Sequence, residues 1–83
     1  MTTLRYPLAT EKAVGFIDKS NVITYVVDYR ATKRQIIEEF ERLFGVKVSK
    51  IRTTNMPPNF KKAFITLKKE FKASDVAIKL KLV

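Results

Sequence analysis

The sequence has no cysteine and no histidine, and it has only two glycines and three prolines among its 83 residues. Without cysteine there is no disulfide framework, no thiolate zinc site and no thiol nucleophile. Without histidine the chain lacks the commonest general base and the commonest neutral metal ligand. The isolated Gly15 and Gly45 cannot form a glycine-rich phosphate loop. These absences exclude most classes of enzyme, and we expect no cofactor and no small-molecule substrate.

Long hydrophobic runs are also absent. No apolar segment approaches the roughly 20 residues of a membrane span, and the N-terminal residues lack the apolar core of a signal peptide. We therefore expect no membrane insertion and a cytoplasmic location. A length of 83 residues with 46% hydrophobic content fits one small globular domain over residues 1–83.

Positive charge is what the sequence has in excess, since 17 basic and 8 acidic residues give a formal net charge of +9. Residues 1–43 carry seven basic and six acidic residues, a net charge of +1, whereas residues 44–83 carry ten basic and two acidic residues, a net charge of +8. An excess this one-sided indicates a contact surface for a polyanion rather than an ordinary solvated surface.

The hydrophobic pattern predicts an α+β domain with a small, mainly antiparallel four-stranded sheet, in the order βαβαββα. The predicted elements are a short edge strand Leu4–Tyr6, a helix capped by Thr10 and ending near Lys19, strand Val22–Tyr29, helix Lys33–Phe44, strands Val46–Thr54 and Lys61–Lys68, and a helix from Asp75 to about Leu80 capped by Ser74.

The helix Lys33–Phe44 has the clearest signals. Thr32 and Gln35 form a capping box, and Gly45 ends the helix. Its apolar residues recur at helical spacing and should be in the core together with those of the last helix: Ile36, Ile37, Phe40, Leu43 and Phe44, with Val76, Ile78 and Leu80. Its glutamates fall on the other side, where we expect a solvated surface rather than acid–base chemistry: Glu38, Glu39 and Glu41.

Basic side chains cluster on the predicted hairpin. Lys47, Lys50 and Arg52 follow one strand, and Lys61 and Lys62 open the next. Across an antiparallel hairpin such residues become neighbours, and like charges that face one another cost free energy until a counter-charge arrives. We interpret this hairpin as a phosphate-binding face.

Further candidates flank the hairpin. Lys33 and Arg34 stand in the first turn of a helix, where the macrodipole disfavours cations. They are either solvated side chains or ligands for phosphates that also bind the free backbone N–H groups of that turn. Thr53, Thr54 and Asn55 fit either ordinary turn hydrogen bonds or contacts with phosphate, sugar or base edges.

Four segments in the correct order resemble the universal large-subunit ribosomal protein L23 family. They are Tyr6-Pro-Leu-Ala-Thr-Glu-Lys-Ala13, then Ala31-Thr-Lys33 with Ile36 and Leu43-Phe-Gly-Val-Lys-Val48, then Thr53-Thr-Asn55, then Lys61-Lys-Ala-Phe-Ile-Thr-Leu-Lys68. The resemblance covers nearly the whole chain, and it implies a small antiparallel sheet with helices on both faces. Bacterial members extend the last hairpin, whereas here only about Asn55–Phe60 joins the strands, so the chain is similar to the archaeal form with a short hairpin.

The resemblance implies a structural protein that binds large-subunit rRNA at the rim of the polypeptide exit tunnel, beside neighbouring ribosomal proteins. It also implies a share in the docking site for nascent-chain factors such as the signal recognition particle, with Glu11 in the docking surface. From the resemblance and the charge pattern together, we expect RNA contacts from Thr10, Lys12, Lys33, Arg34, Lys47, Lys50, Arg52, Thr53, Thr54, Asn55, Lys61 and Lys62.

Two other functions fit parts of the sequence. Lys62-Ala-Phe-Ile-Thr-Leu67 has some likeness to the strand of an RRM-like single-stranded RNA-binding module that stacks bases on aromatic side chains, although it lacks the glycine of that motif. An adaptor for acidic proteins is the other alternative, with Glu11 and Lys12 on a short exposed helix. The rRNA-binding interpretation alone accounts for both the charge asymmetry and the four segments.

Overall fold

The computed structural model describes residues 4–8, 10–56 and 60–80, without the side chains of Glu11, Asp18 and Met56. The elements are β1 (Leu4–Pro7), α1 (Glu11–Ser20), β2 (Val22–Asp28), α2 (Lys33–Phe44), β3 (Val48–Met56), β4 (Phe60–Leu67) and α3 (Ala73–Lys79). This order confirms the predicted α+β class and the βαβαββα succession. Only residues 57–59 separate β3 from β4, so the hairpin is short, as expected.

The four strands form one antiparallel sheet in the order β1–β2–β4–β3. The inner strand β2 is buried continuously from Ile23 to Asp28, as its apolar side chains at both odd and even positions predict. At one edge, β1 ends with Pro7, which lacks the N–H group that an inner strand would need. None of the helices in the described ranges is long and apolar enough to cross a membrane.

Local sequence signals fix the ends of α1 and α2. The Thr10 hydroxyl accepts a hydrogen bond from the backbone N–H three residues later, at 3.2 Å. In the capping box, Thr32 Oγ1 accepts from Gln35 N at 3.1 Å and Gln35 Oε1 accepts from Thr32 N at 3.0 Å. Gly45 ends α2 with a φ of 64°, and Asn21 ends α1 with a φ of 57°. Asparagine tolerates this left-handed conformation better than most residues, but the sequence analysis did not identify Asn21.

Asn21 also determines where α3 begins. Its Oδ1 accepts a hydrogen bond from Ala73 N at 2.6 Å, and its Nδ2 donates to the carbonyl groups of Leu67 and Phe71 at 3.2 and 2.9 Å. The prediction that Ser74 caps α3 is wrong, because the helix already begins at Ala73 and its N-cap residue makes no side-chain hydrogen bond. A residue distant in sequence thus satisfies an N–H group of the first turn, which has no partner within the helix.

The hydrophobic core lies between one face of the sheet, here called the core face, and the helices α2 and α3. On this face β2 and β4 contribute Ile23, Tyr25, Val27, Ala63, Ile65 and Leu67. From α2, the fully buried Phe40 contacts the rings of Tyr25 and Phe44, with centroids 6.3 and 4.7 Å apart. Burying a side chain of this size stabilises the fold by about 1.5–3 kcal/mol.

Two residues predicted to lie in the core are exposed instead. Leu43 is 56% exposed and Ile78 is 61% exposed. In α2 the buried residues are Ile36 and Phe40, with Phe44 packed beside them. Leu43 falls at the margin of this apolar stripe, and a helix packed on a sheet buries only the part of its surface that faces the sheet.

The start of β3 corrects two further expectations. The strand begins at Val48 rather than Val46 and continues to Met56, where a loop was expected. Glu41 is not merely solvated, because its Oε2 accepts a hydrogen bond from Val48 N at 2.8 Å. This contact ties α2 to the first residue of β3.

The opposite face of the sheet, here called the outer face, is approached by α1. Ile17 of α1 joins the core, whereas Ala13 and Phe16 line a cavity together with outer-face residues of β2 and β4. The helices are therefore divided between the faces, with α2 and α3 on the core face and α1 reaching both. This leaves most of the outer face of β3 and β4 uncovered by the described helices.

Candidate nucleic-acid interface

Three rows of paired residues cross the outer face from β2 through β4 to β3. The rows are Val22–Thr66–Lys50, Thr24–Phe64–Arg52 and Val26–Lys62–Thr54. Since the side chains of a strand alternate between its two faces, these residues all point to the same side of the sheet. The structure thus brings together four of the residues predicted to bind RNA: Lys50, Arg52, Thr54 and Lys62.

Phe64 is at the centre of this face, and two cations lie over its ring. The Arg52 guanidinium carbon lies 5.7 Å from the centroid of the Phe64 ring, and the Lys62 ammonium nitrogen lies 5.9 Å from it. Both distances are within the range of cation–π attraction. Arg52 and Lys62 are diagonal neighbours across the β3–β4 ladder, so two like charges converge on one half-buried ring.

A cavity of about 300 Å³ lies between this face and the start of α1. Its walls include Thr10, which caps α1, and Lys12 of α1, together with Arg52, Lys62 and Phe64 from the hairpin. Two widely separated parts of the sequence that we predicted to bind RNA therefore meet here. No described side chain that lines the cavity is acidic, and cations grouped in a concave site raise the local positive potential.

Thr24 is a residue of this site that the sequence analysis missed. It lines the cavity, is only 3% exposed, and its Oγ1 has no hydrogen-bond partner among the described residues. A buried hydroxyl without a partner is uncommon in folded proteins. No sequence signal marks it, because threonine is an ordinary strand residue.

Lys61 and Lys62, which the sequence places side by side, point to opposite faces. Lys61 belongs to the core-face row Val27–Lys61–Asn55 at the end of the sheet. Its Nζ donates a hydrogen bond to the carbonyl oxygen of Ala31 at 2.8 Å, so Lys61 ties β4 to the segment that precedes α2. The two lysines therefore do not form one patch, contrary to our interpretation of the hairpin as a single face.

Lys61 instead lies beside the start of α2, where Lys33 and Arg34 are exposed. Arg34 Nε is 3.1 Å from Glu38 Oε1, and the two side chains are 89% and 65% exposed. An exposed pair of this kind contributes about 0.3–0.5 kcal/mol. Together with Asn55, which pairs with Lys61 across the hairpin, these cations form a second basic group at the end of the sheet.

Three predicted residues belong to neither group. Lys47 is exposed between α2 and β3, and its carbonyl oxygen accepts a hydrogen bond from Lys68 N at 3.0 Å. Thr53 is half-buried on the core face opposite Ala63. Glu11 is the first residue of α1, and its side chain lies outside the described part of the chain.

Asp28 provides the negative charge on the β2 part of the outer face, and it has its own partners. It is 3% exposed, and its Oδ1 accepts a hydrogen bond from Arg30 N at 2.9 Å. Arg30 Nε lies 3.5 Å and Arg5 Nη2 3.9 Å from its carboxylate oxygens. The hydrogen bond from the Arg30 backbone, helped by both guanidinium groups and opposed by burial, lowers the pKa of Asp28 below its ordinary value of 3.8. The negative charge of Asp28 is therefore balanced by Arg5 and Arg30.

The chain is similar to known proteins over a range that includes both basic groups. The family model described as Ribosomal protein L23 matches residues 2–80 of the chain. The large ribosomal subunit protein uL23 of Pyrobaculum aerophilum is 49% identical over 73 residues, which are 88% of this chain and 90% of the relative. The protein of the same name from Dictyostelium discoideum is 44% identical over 80 residues, which are 96% of this chain. The chain spans 47% of that relative's length.

Proposed function

Because the chain belongs to the ribosomal protein L23 family, we propose that it is an rRNA-binding structural component of the large ribosomal subunit in the cytoplasm. Proteins of this family are ribosomal proteins, not enzymes. The observation that carries the proposal is the convergence of Lys12, Arg52 and Lys62 on one concave site whose described lining contains no acid.

The charges of that site support phosphate binding. The charged groups of Arg52 and Lys62 both lie close to the Phe64 ring, and no described acidic side chain lines the cavity next to them. Phosphate groups supply the missing negative charge and release counterions from the RNA when they bind. Arginine and lysine contacts to phosphates position a protein on RNA without reading its sequence, as a structural role requires.

The second basic group extends the proposed interface to the end of the sheet. Lys33, Arg34 and Lys61 surround the start of α2, where free backbone N–H groups favour an anion. Lys61 keeps donors available after its bond to Ala31, because an ammonium group has three. Threonine and asparagine side chains in the two groups provide neutral hydrogen-bonding groups for phosphate or sugar: Thr10, Thr54 and Asn55. Thr53, on the core face, is the predicted contact that this arrangement supports least. Lys47 and Lys50 continue the charge toward the other end of β3.

We also propose that the chain lies at the rim of the polypeptide exit tunnel and contributes to the docking site for nascent-chain factors such as the signal recognition particle. Glu11 at the start of α1 is the residue assigned to that surface, and the sequence resemblance is what supports it. Large apolar side chains that stay exposed are candidates for contacts with neighbouring ribosomal proteins: Tyr6, Tyr29, Leu43 and Ile78.

A salt titration tests the RNA-binding proposal. We expect the logarithm of the affinity for a large-subunit rRNA fragment to fall linearly with the logarithm of the salt concentration. In the double variant Arg52→Gln/Lys62→Gln, the slope should be shallower by about 1.4–1.8, because each phosphate contact contributes about 0.7–0.9. Filter binding or fluorescence anisotropy over a range of salt concentrations provides the measurement.

The matched control is Lys19→Gln/Lys79→Gln, which removes two exposed charges from α1 and α3 outside the predicted interface. Its slope should stay close to that of the unmodified protein. If the two double variants lowered the slope equally, only the total charge would matter and the proposed site would be wrong. An affinity that does not depend on salt would refute RNA binding through these cations.

A further inference from the structure

The cavity beside α1 continues as a groove over the outer face. A second cavity of about 310 Å³ adjoins the first and shares with it Ser20, Val22, Arg52 and Phe64. One end of this groove carries Lys12 and Lys62, and the other carries Lys50 and Thr66. Its middle is the ring of Phe64, so cations surround an aromatic surface on several sides.

Phe64 differs from the aromatic residues of the core. Tyr25 and Phe40 are buried and contact other rings, whereas Phe64 is half-buried and no ring within the described ranges contacts it. Its neighbours within cation–π distance are Arg52 and Lys62. Both cations are at the ends of long, flexible side chains, so they can turn toward an anion and leave a flat apolar ring surface to a group that enters the groove.

The chemistry of the groove defines its occupant. A flat π-system can stack on Phe64, and an anionic group next to that π-system can pair with Arg52 and Lys62. A nucleotide combines both features, because its base is aromatic and its phosphates are anionic. In a regular duplex the base faces are already stacked on neighbouring bases, so the nucleotide must be unpaired or turned out of its helix.

We propose that the groove binds an unpaired nucleotide of rRNA, with its base stacked on Phe64 and its phosphates held by Arg52 and Lys62. This inference rests on the proposed rRNA-binding function and adds the part of the RNA that is recognised. It assigns Phe64 a direct role in binding that the charge pattern alone does not reveal. Lys12 and Lys50 line the two ends of the groove, and we assign them to the preceding and following phosphates.

Substitution of the ring tests the stacking. Phe64→Leu should weaken binding to the rRNA fragment by up to about 5- to 160-fold, which corresponds to the 1–3 kcal/mol that one base–aromatic stack contributes. The salt slope should stay unchanged, because no charge is removed. Phe64→Tyr keeps the ring and should retain most of the affinity, which separates stacking from a general loss of packing. Thermal unfolding of each free variant checks that it folds.

A tryptophan at this position gives a second measurement, since the sequence contains no tryptophan. In Phe64→Trp the emission should be quenched when the rRNA fragment binds and should stay unchanged with a fully paired RNA duplex of equal length.

If wild-type protein binds the fragment but Phe64→Leu binds equally well, or if Phe64→Trp is not quenched, the stacking proposal is wrong while rRNA binding stands. If the wild-type protein does not bind rRNA, the proposed function itself fails. Quenching by an acidic peptide but not by RNA would show that the groove binds a protein ligand and not a nucleotide.

Discussion

The two faces of the β2–β4–β3 sheet are built from alternate residues of the same strands, yet one face packs in the hydrophobic core and the other forms the proposed RNA-binding groove. On β4 the core-face residues Ala63, Ile65 and Leu67 are at most 3% exposed. The outer-face residues that alternate with them, Lys62, Phe64 and Thr66, are half-buried. Along β4, residues that stabilise the core therefore alternate with residues that are candidates for RNA binding. On β4, changes at Ala63, Ile65 or Leu67 should alter folding, whereas changes at Lys62 or Phe64 should alter RNA affinity.

The largest expected effect comes from the core face. Ile65→Ala should lower the free energy of unfolding by about 2–5 kcal/mol, because it removes a fully buried side chain and leaves a cavity. Its neighbour on the outer face, Thr66→Ala, should cost less than about 1 kcal/mol. Urea or guanidinium unfolding followed by circular dichroism measures both. Similar losses for the two variants would show that the outer face also contributes to the core.

Lys61 and Lys62 test the difference between the two faces with smaller expected changes in stability. Lys61→Met should lower the free energy of unfolding by about 1–2 kcal/mol, because it removes the charged donor to the Ala31 carbonyl group. Lys62→Met keeps the aliphatic stem over the outer face and should change the stability by less than about 0.5 kcal/mol while it weakens RNA binding. Chemical unfolding and the rRNA titration on the same two variants provide the measurement. Equal stability losses would contradict the division of these residues between the two faces.

The smallest effect has the opposite sign. Thr24→Val should raise the free energy of unfolding by about 1 kcal/mol, because it removes a buried hydroxyl group that has no partner among the described residues. Thr66→Val, on the same face but half-buried, serves as the control and should change little. Thermal and chemical unfolding of the free protein measure the difference. A loss of stability in Thr24→Val would show that the hydroxyl has a partner in solution.

Local patterns predicted the elements whose causes lie within a few residues. The capping box of Thr32 and Gln35, the Gly45 stop and the spacing of Ile36 and Phe40 define α2, and both of its ends agree with the structure. The edge position of β1 follows in the same way from Pro7. Such signals act between residues one to four positions apart, so the sequence displays them directly.

The start of α3 depended on a contact that no local pattern reveals. Ser74 has the residue type of a cap, but the N–H group of Ala73 is bonded to Asn21, which is 52 positions earlier. The exposure of Leu43 and Ile78 has a similar origin, because helical spacing defines a stripe but not how wide an area the sheet covers. These errors arose where a partner from another element decided the outcome.

The sequence by itself determined the element order, the excess of positive charge in the second half and the family resemblance, because each depends on residue type and spacing alone. Only the tertiary structure decided which cations act together. Strand pairing placed Lys62 and Arg52 around Phe64 and turned Lys61 toward α2, and the packing of α1 brought Lys12 to the same cavity. The physical reason is that successive side chains of a strand point to opposite faces, whereas residues far apart in sequence become neighbours through the register of the sheet.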